Sequence, residues 1–320
     1  RTEALAKMGV TLPQFVTRGN VIASLPSLGL LTVAAHTPDD VEIEYLEVDE
    51  LPEDGTLQRY DLVGISSFTA RIDAAYALAD RYREMGVPVV LGGLHVSVLP
   101  NEAAKHADSI VLDGAEGIWP QLIDDFRNGC LKPVYQGARS GVFSPEIYKR
   151  PRFDLVKGRD YNRMTVQTSR GCPINCEFCA ASLRITSSFQ QKPVELVVEE
   201  LETIKDVFET PFIELADDNT FVSKKWGKAF LRAIEPMKLH WFTETDISVA
   251  DDTELLDLMR EAGCRQILIG LESPNPVQLA GMDPHDWKAR RADHYMAAID
   301  RIQSRGISVN GCFVLGLDTH

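Results

Sequence analysis

Three cysteines close behind a short apolar run constrain this chain more than any other feature: Thr168-Ser-Arg-Gly-Cys172-Pro-Ile-Asn-Cys176-Glu-Phe-Cys179 spaces its thiols by three residues and then two. The run from Thr165 to Thr168 reads as a strand, so the thiols stand on a loop at a strand's end. Iron–sulfur clusters are built on cysteine thiolates, and one short loop reaches three irons of a cubane [4Fe–4S] cluster but not the fourth. That iron is left for a ligand from outside the protein. The competing occupant is zinc, which takes four closed ligands, usually in two C-x2-C pairs. No other Cys or His lies within ten residues of the triplet. Cys130, Cys264 and Cys312 stand alone and read as small buried hydrophobes.

The triplet resembles the signature of the radical S-adenosylmethionine (radical SAM) superfamily. The resemblance implies that the amino and carboxylate groups of S-adenosylmethionine chelate the open iron. It also implies that an electron from the reduced cluster cleaves the sulfonium to methionine and a 5′-deoxyadenosyl radical.

Composition narrows the rest. A chain of 320 residues has room for two domains, and 44% hydrophobic with 25% charged residues is ordinary for a globular protein. There is no apolar run long enough to span a bilayer and no charged-then-apolar leader. One cysteine cluster plus three singles make no disulfide framework, so a reducing, cytoplasmic setting is expected. A net charge of −14 argues against nucleic acid as partner, because phosphate binding needs a basic stripe. The densest basic run, Lys288 to Arg291, reads as a solvated helix start. The opening on Arg1 and the stop after Gly-Leu-Asp-Thr-His320 suggest a fragment or a partly ordered chain.

Residues 1–137 read as a first domain, in which 41–135 alternate strand and helix signals at short spacing. Val41 to Val48 has the period-two pattern of a half-buried strand, and Asp61–Ser67, Val87–Gly93 and Ser109–Leu112 are short buried strands. Helices are expected from Ile72 to Met85, stopping at Gly86, and from Ile118 to Arg127. Strict alternation predicts an α/β fold, a Rossmann-like doubly wound parallel sheet with its ligand at the carboxyl ends of the strands.

This layout resembles the cobalamin-binding domain of corrinoid enzymes. The family's Gly-Gly mark falls on Gly92-Gly93, and Ser66 fits its Ser-x-Leu mark loosely, with Phe68 in place of leucine. Its Asp-x-His-x-x-Gly mark is broken: with the glycine set on Gly29, ahead of a helix from Leu30 to His36, Ser24 and Pro26 stand at the Asp and His positions. The resemblance therefore implies cobalamin held with no protein histidine on cobalt. It also places the domain's first strand upstream of Arg1. A Rossmann-like docking domain without corrinoid is the alternative.

Residues 138–163 read as a linker, and 164–320 alternate again at longer spacing. Strands are expected at Thr165–Thr168, Phe212–Ala216, Trp241–Thr245, Gln266–Gly270 and Val309–Leu315. Helices are expected at Val194–Val207, Lys224–Ile234, Thr253–Ala262 and Ala289–Ser304. Five such repeats resemble the partial (β/α)6 barrel of radical SAM proteins, without its sixth strand or C-terminal region.

In parallel barrels chemistry gathers at strand carboxyl ends. By resemblance, Asp217 and Asp218 in Ala216-Asp-Asp-Asn-Thr-Phe221 replace the family's Gly-Gly-Glu segment, which fixes the amino group of S-adenosylmethionine. The alternative is an Asx-turn at Asn219 capping the next helix. Glu244 shares a strand face with Asp246, and that face is assigned to the site. Glu272 resembles the residue that holds the ribose or methionine portion, and Gly311 and Gly316 the glycines beside adenine. Arg170 either offsets the cluster's charge or forms a salt bridge elsewhere. His95, in Gly92-Gly-Leu-His, is a possible cobalamin contact.

The metal set is thus Cys172, Cys176 and Cys179, and the cofactor set is Ser66, Gly92, Gly93, His95, Asp217, Asp218, Glu244, Glu272, Gly311 and Gly316. The resemblance implies a cobalamin-dependent radical SAM enzyme that methylates an unactivated carbon through a 5′-deoxyadenosyl radical and methylcobalamin. Two alternatives stand: a radical rearrangement, cyclisation or oxidation, or a non-catalytic iron–sulfur or zinc module. Expected partners are a small-molecule or natural-product substrate and an electron donor such as flavodoxin or ferredoxin.

Overall fold

The computed structural model describes residues 24–48, 56–174, 176–179, 189–283 and 285–317. Its first sheet is all parallel, in the order β1 (Val63–Ser66), β2 (Val89–Gly92), β3 (Ser109–Leu112) and β4 (Val134–Gln136). β4 is an addition to the strands legible in the sequence; only Tyr135 of its three residues is buried, so it carries little apolar signal.

Helix α1 (Leu28–His36) precedes the sheet, and α2 (Ile72–Glu84) follows β1. Short helices α3 (Leu94–Val98) and α4 (Pro100–Ala103) follow β2, and α5 (Trp119–Arg127) follows β3. Alternate strand residues point to opposite faces. Val89, Leu91 and Ile110 pack with α2, while Val90 and Val111 pack with Trp119, Leu122 and Ile123 of α5. The two faces thus carry separate small cores.

α1 begins two residues earlier than expected. Ser27 is its N-cap, accepting from Leu30 N–H at 3.4 Å, so Gly29 lies inside the first turn. The run 41–48 forms no strand. Its alternation is satisfied differently: Tyr45 inserts into the core of the second half, bonds Ser27 N–H at 2.7 Å through its hydroxyl, and lies under the Arg159 guanidinium. Period-two burial needs only an extended backbone with one covered face.

The second sheet is also parallel, ordered β11-β10-β9-β8-β5, with β5 Met164–Val166, β8 Phe212–Leu215, β9 His240–Thr245, β10 Cys264–Glu272 and β11 Ser308–Phe313. A two-stranded antiparallel ribbon, β6 (Ser169–Arg170) with β7 (Gln190–Gln191), brackets the cysteine loop. Helices α6 (Val194–Val207), α7 (Lys224–Ile234), α8 (Thr253–Glu261), α9 (Pro276–Leu279) and α10 (Tyr295–Gln303) complete this half. The turns before α10, Ala289–His294, are 3-10 and not α as the periodicity suggests.

The core of this half is one continuous cluster. On α6, Val197, Leu201 and Ile204 recur at helical spacing and face the sheet. Trp241 is 1% exposed, and its indole N–H donates to Ala262 C=O at 2.8 Å. Full burial of side chains this size is worth about 1.5–3 kcal/mol each. The expected linker contributes to this core: Phe153 and Val156 are buried in it, and Arg152 N–H bonds Leu31 C=O at 3.1 Å. Among the described residues no helix is long and apolar enough to cross a membrane.

Candidate active site between the two sheets

The carboxyl ends of both sheets open onto one cavity of about 870 Å³. Its first wall brings backbone and small side chains at Gly29, Gly64, Ser66, Gly92, Gly93 and Gly114 together with larger apolar groups such as Phe68, Leu94 and Trp119. Gly93 sits at φ +100°, and a Cβ there would stand 2.8 Å from Ser66 Oγ. Only glycine lets these two strand ends close to this shape. At Gly64 a Cβ would meet Trp119 at 3.5 Å, and at Gly114 it would meet Glu116 Oε2 at 2.5 Å. A wall made this way admits a large flat group to van der Waals contact with backbone, which fits a corrin.

His95 lies off this wall. Its ring nitrogens are 3.1 Å from Thr69 Oγ1 and 3.2 Å from Glu102 Oε1, and Tyr76 stands edge-on to the ring. α3 turns the side chain into the domain core, where it is 6% exposed. Pro26 is buried and offers no metal ligand, in keeping with the broken sequence mark.

The second wall is acidic, with Glu214, Asp218 and Glu244 on the ends of β8 and β9. The neighbouring aspartates have different tasks. Asp217 is 3% exposed and accepts four hydrogen bonds: from Thr168 N–H and Ser169 N–H at 2.7 Å each, Thr168 Oγ1 at 2.5 Å and Thr220 Oγ1 at 2.7 Å. Burial pushes its carboxyl above the usual range, and these donors oppose the rise. Its two oxygens pin the chain where β5 turns toward the cysteine loop. Asp218 points to the cavity, and its carboxyl is also raised by burial, against one bond from the Gly171 backbone.

Glu244 is raised by burial first, then by the charges of Asp218, Glu214 and Asp217. Asp246 does not join it. It holds Asn219 Nδ2 at 2.7 Å and caps Ser248 N–H at 2.8 Å. Asn219 is therefore tied to the end of β9, and the cap of α7 is Ser223. Asp218 and Glu244 open onto the cavity as exposed side chains, while Glu214 pairs with Arg163 at 3.0 Å; like charges gathered on one wall favour a cationic group, such as an ammonium or sulfonium, opposite them.

The cysteine loop leaves β6 directly. Cys176 is buried, and Cys172 and Cys179 are half-buried. Burial pushes Cys172 up and Cys176 up to about 11; Cys176 also feels Cys172 and Cys179, so the three are electrostatic neighbours. Among the described residues no three ligating side chains form a finished metal site. Three thiols on one loop, two raised by desolvation, fit a cationic cluster in their chemistry: bound iron supplies the counter-charge that burial removes.

Glu272 and Gly311 sit deeper in the sheet. Glu272 has φ +61° and is 8% exposed, and a Cβ on Gly311 would meet Leu271 at 2.9 Å. Gly316 has φ +89° just beyond β11. Of the single cysteines, Cys264 is buried as expected, whereas Cys130 is exposed. Cys312 is half-buried, and its thiol feels the charges of Glu244 and Glu272.

Arg170 resolves as a salt bridge. Nη2 lies 2.7 Å from Glu116 Oε1, joining the stem of the cysteine loop to the loop after β3, and Nε and Nη2 also bond Gln167 Oε1. The sequence signal for Glu116, Gln167 and Glu214 was weak; Glu214 alone had one, as a charge inside the apolar strand Phe-Ile-Glu-Leu.

Known proteins match this arrangement. The radical SAM superfamily model covers residues 166–319, and the B12 binding domain model covers residues 16–123. The chain belongs to the B12-binding radical SAM family. Among its relatives is the bacteriochlorophyllide d C-8(2)-methyltransferase of Chlorobaculum tepidum, 30% identical over 90% of this chain and 66% of that protein. The hopanoid C-2 methylase of Rhodopseudomonas palustris is 28% identical over 94% of this chain and 58% of that protein. The family is one of enzymes, and the chain spans two thirds or less of the length of these relatives.

Two solved structures share the fold. The radical SAM methyltransferase TsrM from Kitasatospora setae, with tryptophan and a SAM analogue bound, has a TM-score of 0.64 at 17% identity, over 81% of this chain and 58% of that one. The cobalamin-dependent SAM radical enzyme OxsB, with aqua-cobalamin bound, also has a TM-score of 0.64, at 19% identity over 81% of this chain and 42% of that one.

Proposed function

We propose that this protein methylates an unactivated carbon of a substrate seated in the cavity between the two sheets, using S-adenosylmethionine, cobalamin and a [4Fe–4S] cluster. The observation that carries the proposal is the single cavity walled on one side by the glycine edge of the B12-binding half and on the other by the carboxylates of the radical SAM half. When bound, these cofactors supply radical generation and methyl delivery, chemistry that no side chain provides.

The chain's own residues bind, orient and exclude water. Cys172, Cys176 and Cys179 would hold the cluster, with Asp217 fixing the strand end from which their loop departs. Asp218 and Glu244 would receive the ammonium of S-adenosylmethionine, and Glu272, Gly311 and Gly316 would border its remainder. Ser66, Gly92 and Gly93 would border the corrin. The Arg170–Glu116 pair ties the two walls together.

The methyltransferase relatives support methylation over other radical outcomes. One relative favours a second reading: an anaerobic magnesium-protoporphyrin IX monomethyl ester cyclase of Synechocystis is 26% identical over 42% of this chain. A flavodoxin or ferredoxin would supply electrons. The test is anaerobic turnover of the reconstituted full chain with methyl-labelled S-adenosylmethionine and candidate tetrapyrrole or hopanoid substrates. Methylation adds one labelled CH2 unit to the substrate, while cyclisation or oxidation changes its mass without label.

A further inference from the structure

Lys288, expected on a solvated helix start, is 8% exposed, and its ammonium is held inside the second half. Nζ donates to Gly270 C=O at 2.7 Å and to Glu272 Oε1 at 2.9 Å. Gly270 leaves the space for this pair: a Cβ there would collide with Glu272 Oε1 and stand 3.3 Å from Nζ. Glu272 meets the ammonium from a left-handed backbone, a conformation a non-glycine side chain keeps only when its surroundings hold it.

The segment that carries Lys288 lies along the cysteine loop. Glu177 N–H, next to Cys176, donates to Met282 C=O at 2.9 Å. Asp283 accepts from Trp287 N–H at 2.8 Å and Lys288 N–H at 3.1 Å, fixing the turn into Lys288.

We infer that Lys288 is a positioning residue for the cluster, a fixed buried cation that Gly270 and Glu272 hold on the segment bonded to the cysteine loop, where it eases the arrival of an electron. The inference rests on the cluster reading proposed above. Buried charge is little screened by salt, so a cation here acts on a neighbouring redox centre far more than a surface lysine would. Adding an electron makes the cluster more negative, and a nearby ammonium stabilises that state.

The test is an EPR-monitored redox titration of the anaerobically reconstituted full chain before any S-adenosylmethionine is added. Lys288→Met should lower the one-electron reduction constant about tenfold, a fall of about 59 mV. Lys288→Arg should stay close to wild type, and Glu272→Gln should shift the potential upward. The double variant E272Q/K288M leaves no unpaired buried charge to unfold the site, and it should return toward the wild-type potential. A Lys288→Met cluster that titrates with wild type, or a Lys288→Arg cluster that falls as far as Lys288→Met, overturns the inference. Failure of the wild-type chain to take up iron and sulfide overturns the cluster reading and the inference with it, and is distinguished by metal and sulfide content alone.

Discussion

The two walls of the cavity are built from opposite materials. The first sheet meets it with glycine backbone at strand ends, one at φ +100°, and with apolar side chains such as Phe68, Leu94 and Trp119. The second sheet meets it with charge, presenting the carboxylates of Glu214, Asp218 and Glu244. Close backbone approach selects by shape and suits a large planar cofactor, whereas clustered carboxylates select by charge and suit a small cation. The difference predicts that damage to one wall spares the other's ligand.

Replacing Cys176 with Ala should have the largest effect, abolishing iron uptake and reducing 5′-deoxyadenosine to background while hydroxocobalamin still binds. Iron analysis and a cobalamin titration of the same sample check both halves of that statement. Gly93→Val comes next. Its side chain would meet Ser66 from a backbone conformation that costs about 1–3 kcal/mol for a non-glycine residue, so cobalamin should bind about tenfold or more weakly at unchanged iron content.

Glu244→Gln should weaken S-adenosylmethionine about tenfold, measured by equilibrium dialysis, without moving cobalamin affinity. The pH dependence follows from the raised carboxyls of Asp218 and Glu244. A raised carboxyl favours folding below its folded pKa, and that contribution is lost as pH rises through it. The charged form is the one that binds a cation. Lowering pH should therefore weaken S-adenosylmethionine from a higher pH than an ordinary carboxylate would give. Glu244→Gln should remove part of that dependence and slightly raise thermal stability at neutral pH.

The smallest effect belongs to Glu116→Gln. It removes the charge of a partly buried pair while Arg170 keeps Gln167, and should cost about 1 kcal/mol or less in denaturant unfolding. Loss of both cofactors together in this variant would show the walls to be one unit, against the independence expected from their construction.

Legibility in the sequence also divides between the halves. In the second half Val194–Val207 and Lys224–Ile234 form at the expected residues, because long amphipathic helices around a single core leave a strong 3.6-residue pattern. The first half has shorter strands and two thin cores, and there the pattern misled: residues 41–48 alternate like a strand yet pair with none. The strand-end positions of Gly92 and Asp218 could be read because chemistry collects at carboxyl ends. The separation of Asp217 from Asp218 could not, since it depends on Thr168 and Thr220 arriving from distant segments. The burial of His95 and Lys288 was not legible for the same reason, since the groups that meet them come from other elements, Thr69 and Glu102 for one and Gly270 and Glu272 for the other.

The central claim is that both cofactor sites serve one cavity, and it is tested most directly by the products of S-adenosylmethionine. The full chain, reconstituted anaerobically with iron, sulfide and hydroxocobalamin and passed through gel filtration, would be given S-adenosylmethionine and a strong reductant, and the products weighed by mass spectrometry. Retained cobalamin with both 5′-deoxyadenosine and S-adenosylhomocysteine is the predicted result. 5′-Deoxyadenosine formed by a protein that holds no cobalamin would contradict the claim.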